Sequence, residues 1–164
     1  MKAKAGQDYP VLIKLGVQDG FPGGLEIREG LQAAQHLDQW GYDALEISQG
    51  LRGKAYATTE FRTKINKIEH EGYFRKWCKT IKSHVNVPVM MVGGLRTFEL
   101  MEEIIQKNEA DFISLCRPFI RQPDIVNIWK SGKRSRSTCI SCNKCLEALR
   151  NREVLRCVQK DLTS

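Results

Sequence analysis

The chain has no uninterrupted apolar run of the roughly 20 residues that a membrane-spanning helix needs. Its first residues, MKAKAGQDYPVLIKLG, carry basic side chains but no long apolar stretch ending in a small-residue cleavage site. The expectation is a cytoplasmic protein that makes no membrane contact. Aromatic residues are few, at 8%, and none form a platform interleaved with basic ones. The net charge of +7 therefore does not read as a nucleic-acid surface. The densest basic stretch, KSGKRSRS at Lys130 to Ser137, reads as a solvated loop. Histidine is also scarce. His36 and His84 fall on expected helices and His70 in a polar connection, so none sits at a strand end where a barrel does its chemistry, and surface or packing roles are expected for all three. Internal repeats are absent. At 164 residues the chain suits one ordinary domain with a short appendix. A complete (β/α)8 barrel, which takes about 250 residues, is excluded.

Cysteine is not scarce. Six cysteines in a chain without a secretion signal read as reduced thiols or ligands rather than a disulfide framework. Cys78 and Cys116 lie in apolar sequence surroundings and are expected to be small packed hydrophobes. The other four, Cys139, Cys142, Cys145 and Cys157, form a C-x2-C-x2-C trio with a fourth member twelve positions on. Iron–sulfur clusters favour such a trio. Structural zinc more often takes two separated pairs, so the spacing leans toward a [4Fe-4S] cluster while leaving zinc open.

Strand and helix patterns alternate along the rest of the chain. Val11 to Val17 is an apolar, β-branched run flanked by Pro10 and the turn-rich DGFPGG. From Leu25 to Trp40 the apolar residues recur at three- and four-residue steps, as on one face of a helix, and Gly41 stops it. Ala44 to Ser48 is a second strand, followed by a long irregular connection from Gln49 to about Glu71 that reads as a candidate functional loop. A helix near Tyr73 to Val85, a third strand at Pro88 to Gly94, a helix from Thr97 to Asn108 with Thr97 as N-cap, and a fourth strand at Asp111 to Pro118 complete the pattern. Asp124 then caps a short helix that Gly132 ends. Four strand–helix units in succession imply an α/β fold with a parallel sheet and right-handed crossovers. A small doubly wound domain and half of an eight-stranded barrel both fit.

The unusual residues cluster at strand ends. Lys14 interrupts the first strand, Gly93 and Gly94 close the third, and Arg117 closes the fourth. A charge embedded in a strand needs a partner of opposite sign, and a bound anion would supply one. Paired glycines before a helix let a phosphate approach main-chain N–H groups, and a neighbouring arginine can clamp it.

The stretches PVLIKLG, GYDALEIS, PVMMVGGLRT, ADFISLCRPFIRQPD and CISCNKC resemble, in order and spacing, the C-terminal half of the Old Yellow Enzyme family of NADH:flavin oxidoreductases. They are most similar to the branch that includes 2,4-dienoyl-CoA reductase and trimethylamine dehydrogenase. The resemblance implies a partial (β/α)8 TIM barrel, strands five to eight, over residues 1–132. A cysteine-rich extension would follow over residues 133–164. It implies FMN as cofactor, NAD(P)H as hydride source and an activated alkene or related small molecule as acceptor. Lys14 would face the flavin's pyrimidine side, Gly93 and Gly94 would form the phosphate turn, and Arg117 would be the phosphate clamp. Cys116 stands where a glycine is common in the family. The four cysteines would ligate a [4Fe-4S] cluster. The family's first four strands have no counterpart in these residues, so no general acid is named. An N-terminal half-barrel or self-association is expected to close the sheet. A non-catalytic half-barrel stapled by zinc, whose basic tail binds an acidic partner, and a phosphate-binding barrel without redox chemistry, are the competing readings.

Overall fold

The computed structural model describes residues 2–52 and 61–160. Part of the long connection expected to be functional, residues 53–60, and the last four residues of the cysteine-rich extension lie outside the described residues. A single turn, α1 (Lys2–Ala5), precedes β1 (Leu12–Gly16). The chain then alternates through α2 (Ile27–Gln39), β2 (Ala44–Ser48), α3 (Arg75–Lys82), β3 (Val89–Met91), α4 (Phe98–Gln106) and β4 (Phe112–Ile113). Three short helices follow, α5 (Arg117–Arg121), α6 (Ile125–Lys130) and α7 (Lys144–Arg150).

The strands lie in the order β1-β2-β3-β4, and all pairs are parallel. Consecutive order is what separates the two architectures left open by the sequence. A doubly wound sheet reverses direction at a switch point and carries helices on both faces, whereas a barrel adds each strand beside the last. Here the order never reverses, and the helices cover one face only.

That asymmetry follows from the two-residue period of a strand. Leu45, Ile47, Val89 and Met91 point to one side and are fully buried. They pack with Ala34 and Leu37 of α2, Cys78 and Ile81 of α3, Met101 and Ile104 of α4, and Ile125 and Trp129 of α6. The opposite face carries the register Lys14–Glu46–Met90–Phe112. It is bare: Leu12 is 52% and Phe112 56% exposed.

Local chemistry fixes the crossover units. Glu26 and Glu29 form a reciprocal capping box that starts α2, and Gly41, at φ +78°, follows its end. A Cβ on Gly30 would stand 2.1 Å from the Val17 carbonyl oxygen, so only glycine lets α2 sit this close to the end of β1. Asp43 accepts from Lys2 Nζ and from the Val11 N–H, both at 2.7 Å, which pins the entry to β1 beside β2.

The fourth strand is shorter than the sequence suggests. β4 spans only two residues, paired on one side by a three-residue strand and on the other by none of the described residues. Arg117 consequently does not close a strand; it opens α5, where Pro118 fits the first turn because its missing N–H has no helical partner there. Cys78 is buried as expected, and burial pushes its thiol up to about 12. Cys116 is not packed: it is exposed, at the residue that leads into α5.

Arg75 and Lys79 of α3 meet Glu109, and Arg75 also reaches Glu103 of α4 at 2.8 Å. Hydrogen bonds from Lys107 and Arg75 hold the Glu103 carboxyl at about 2, below its ordinary 4.5. A depressed carboxyl contributes stability that is complete above its unfolded value and disappears as pH falls through its folded value. The urea midpoint should therefore fall between about pH 4.5 and pH 2, and Glu103→Gln should flatten part of that fall. Ile104→Ala, which empties a fully buried site between helix and sheet, should lower unfolding free energy by about 2–5 kcal/mol in the same urea titration.

Candidate functional site

The segments that follow β3 and β4, together with the middle of β1 and β2 at Lys14 and Glu46, border a cavity of about 400 Å³, within the range of small-ligand sites. Its lining includes all five residues expected to hold a cofactor: Lys14, Gly93, Gly94, Cys116 and Arg117. Cys145 reaches the same cavity, together with Ser141 and Asn143 from the cysteine segment.

Each expected residue has an observable environment. Lys14 is half-exposed and hydrogen-bonds Glu46, its register partner on β2. The partner expected for it was an anion; the carboxylate next to it on the sheet supplies that charge instead. Gly93 and Gly94 have φ of +133° and +72°, backbone that side chains rarely adopt. A Cβ at Gly94 would also stand 2.7 Å from the Tyr73 ring. Both glycines are required by geometry, and the turn presents main chain rather than side chains to the cavity. Arg117 pairs with neither Asp111 nor Glu46. Its Nη1 donates to the Arg62 carbonyl at 2.8 Å and to Asn143 Oδ1 at 2.5 Å. Asn143 is left-handed, at φ 61°, and donates in turn to the Phe61 carbonyl at 2.7 Å.

Glu71 and Arg96 organise the site, and sequence reasoning did not single out either. The Glu71 side chain is wholly buried. Its Oε2 accepts the N–H groups of Arg96 and Thr97 at 2.7 and 2.9 Å, and its Oε1 accepts the Thr97 hydroxyl at 3.0 Å. Thr97 occupies the N-cap position of α4 but its hydroxyl makes no cap; it donates to Glu71. Arg136 also pairs with Glu71 Oε1, at 2.7 Å. The basic run is exposed as expected through Arg136, but the Arg136 guanidinium reaches in to Glu71 and Ser137 is buried. Arg96 is buried too, with its side chain 5% exposed. Burial, and then the neighbouring Arg136, pull its pKa below the usual arginine range against the pull of Glu71. The available sequence signal was an arginine two positions after a Gly-Gly pair; Glu71 carried none.

The cysteines divide by environment. Cys139 and Cys157 are buried, Cys142 and Cys145 half-buried, and none is in a disulfide. Positive φ at Ser141 and Asn143 turns the chain on both sides of Cys142. Burial raises the Cys145 thiol, the Leu146 N–H opposes this, and the charges of Cys139 and Cys142 push it further up. Among the described residues, no group of three or more His, Cys, Asp or Glu side chains is arranged to hold a metal ion. The four thiols are donors of the type that holds iron–sulfur or zinc, but the described side chains are not gathered into such a site. Arg96 Nη1 donates to the main-chain carbonyl of Cys139. The cavity, with its glycine turn and three cations, suits a phosphorylated cofactor such as FMN. His36, His70 and His84 are exposed and away from it.

A parallel sheet whose four strands lie in consecutive order with helical crossovers is the architecture of a segment of a βα-barrel. The chain belongs to the NADH:flavin oxidoreductase / NADH oxidase family, whose model matches residues 1–135. It is similar to an NADH oxidase of Thermoanaerobacter brockii, 31% identical over 144 residues that cover 87% of this chain and 21% of the relative. It is also similar to a bilirubin reductase of Mediterraneibacter gnavus, 33% identical over 140 residues, covering 83% of this chain and 21% of that protein. The chain therefore spans about a fifth of the length of these relatives. Among solved structures, 2-naphthoyl-CoA reductase in complex with 2-naphthoyl-CoA shares the fold. Its TM-score is 0.82 at 19% identity, over 96% of this chain and 24% of that one.

Glu71→Gln would keep the shape but remove the charge that Arg136 and the start of α4 share. The expected loss is about 3–5 kcal/mol, as for other broken buried pairs. Limited proteolysis should then cut near residues 133–138 faster than in the unaltered chain, while Glu69→Gln, at an exposed neighbour, leaves the rate unchanged.

Proposed function

We propose that this chain forms strands five to eight of an FMN-dependent barrel that takes hydride from NAD(P)H and reduces a small-molecule acceptor of the activated-alkene type. Residues 1–132 are its half-barrel and residues 133–164 its cysteine-rich extension. The observation that carries the reading is the convergence of Lys14, Gly93, Gly94, Arg117 and Cys145 on one cavity. The family match supports it over residues 1–135, which include Lys14, Gly93, Gly94 and Arg117.

In this reading Gly93 and Gly94 offer main chain to the flavin phosphate, and Arg117 supplies charge next to it. Lys14, held in place by Glu46, faces the ring system and favours negative charge on it. FMN, when bound, supplies the hydride chemistry. Cys116 adds a side chain beside the phosphate approach. A neighbouring cleft of about 1050 Å³ shares Phe61, Tyr73 and Asn143 with the cavity and is lined by Arg62, Lys64 and Arg150. Its basic lining suits the anionic dinucleotide. Cys139, Cys142, Cys145 and Cys157 would be the ligands of a [4Fe-4S] cluster, which when bound supplies one-electron chemistry. No general acid is assigned within this chain.

The bare face of the sheet, with Leu12 and Phe112 exposed, is closed by an N-terminal half-barrel or by a second copy. An uncovered apolar face and unpaired strand edges are aggregation-prone without such a cover.

Anaerobic purification tests the reading. The chain should be brown, with broad visible absorbance that bleaches on reduction. It should retain FMN weakly alone, and more tightly once mixed with an N-terminal half from a relative. A colourless protein carrying one zinc per chain would reject the cluster. Tight flavin retention and alkene reduction by the monomeric chain alone would reject the need for a second half.

A further inference from the structure

Lys14, Arg96 and Arg117 all line the cavity, but only Lys14 is neutralised, by its pairing with Glu46. Arg117 donates through Nη1 to two neutral acceptors, the Arg62 carbonyl and Asn143 Oδ1, and among the described residues no carboxylate pairs with it. Arg96 is placed in a similar way but is more deeply enclosed. Its side chain is 5% exposed, and its Nη1 donates to the main-chain carbonyl of Cys139, again a neutral group. Its Nε and Nη2 are buried with no hydrogen-bond partner. Glu71 does not satisfy them, because its Oε1 stands 4.0 Å from Nε and already accepts from Thr97 and pairs with Arg136. A buried guanidinium with orphaned N–H groups is costly unless an acceptor arrives.

Charge and position both indicate what that acceptor is. One carboxylate, Glu71, faces the guanidiniums of Arg96 and Arg136, and Arg117 adds a further cation, so positive charge is in excess. A phosphate monoester, with a charge of about −1.5 to −2 at pH 7, offsets more of that excess than a carboxylate can. Gly94 lies on the same wall, two residues before Arg96, and among the described residues its N–H has no acceptor. The start of α4 offers nothing in its place, since Glu71 takes the N–H groups of Arg96 and Thr97. Within the flavin reading given above, we propose that Arg96 is the buried phosphate donor of this cavity and selects the phosphorylated flavin over the unphosphorylated one. Arg117, whose Nη1 is spent on neutral oxygens, contributes charge more than hydrogen bonds.

The test titrates the full chain into a fixed concentration of FMN or of riboflavin, and fluorescence anisotropy gives each dissociation constant for wild type, Arg96→Met and Arg96→Lys. Wild type should bind FMN more tightly than riboflavin. Arg96→Met should weaken FMN binding by about tenfold, as expected for loss of a charged hydrogen bond, and leave riboflavin binding unchanged. Arg96→Lys, which keeps charge but loses the planar pair of donors, should fall between the two. Equal FMN affinities in wild type and Arg96→Met overturn the inference alone. So does an equal loss for both flavins, which makes Arg96 a structural residue, and so does a wild type that binds both flavins equally. A wild-type chain that binds neither flavin overturns the flavin reading and this inference together. If Arg96→Met fails to fold, Arg96→Lys decides, and an FMN affinity equal to wild type overturns the inference.

Discussion

The buried carboxylate of Glu71 is the interaction on which the site depends. It stands in the connection before α3, yet it takes the main-chain N–H groups that open α4 and the guanidinium of Arg136 from the segment leading to the cysteines. Three parts of the chain that share no strand are thereby held around one charge. It reinforces the direct ties between the two parts, in which the Ser137 N–H donates to the Arg96 carbonyl at 2.9 Å and Arg96 Nη1 to the Cys139 carbonyl. A buried carboxylate is expensive to desolvate, and it is retained here with five close polar contacts from its surroundings. Geometry, more than net stability, is what it provides.

Much of the fold was legible because it rests on local pattern. β2 runs from Ala44 to Ser48 as its apolar residues indicate, and α2 ends at Gly41 because the chain must turn there. β4 was overestimated because its apolar character continues past the point where a pairing partner exists. Cys116 was misread for a related reason. Apolar neighbours in sequence imply burial only where other elements pack on the residue, and Cys116 is left exposed. The same gap explains Lys14, which needed no interior partner because its strand face is not interior within this chain.

The site was legible in outline. Lys14, the glycine pair and Arg117 stand out because charge or paired glycine is rare at strand ends, and the structure gathers them around one cavity. Glu71 was not legible. Its partners are 25 and 65 residues away, and a glutamate in a polar connection looks the same whether it is solvated or entirely enclosed. Asn143 was hidden among the cysteines, where the thiols drew the inference and the residue between them was taken as spacer.

Asn143 ties the two halves of the site into a single mechanical unit. Arg117 touches it directly, and its amide reaches back to the Phe61 carbonyl, so the arginine at the strand ends and the loop between Cys142 and Cys145 share one joint. Whichever of the two is immobilised first reduces the conformational entropy still to be lost by the other. Assembly of the holoprotein would then be cooperative, since filling either place makes the second easier to fill.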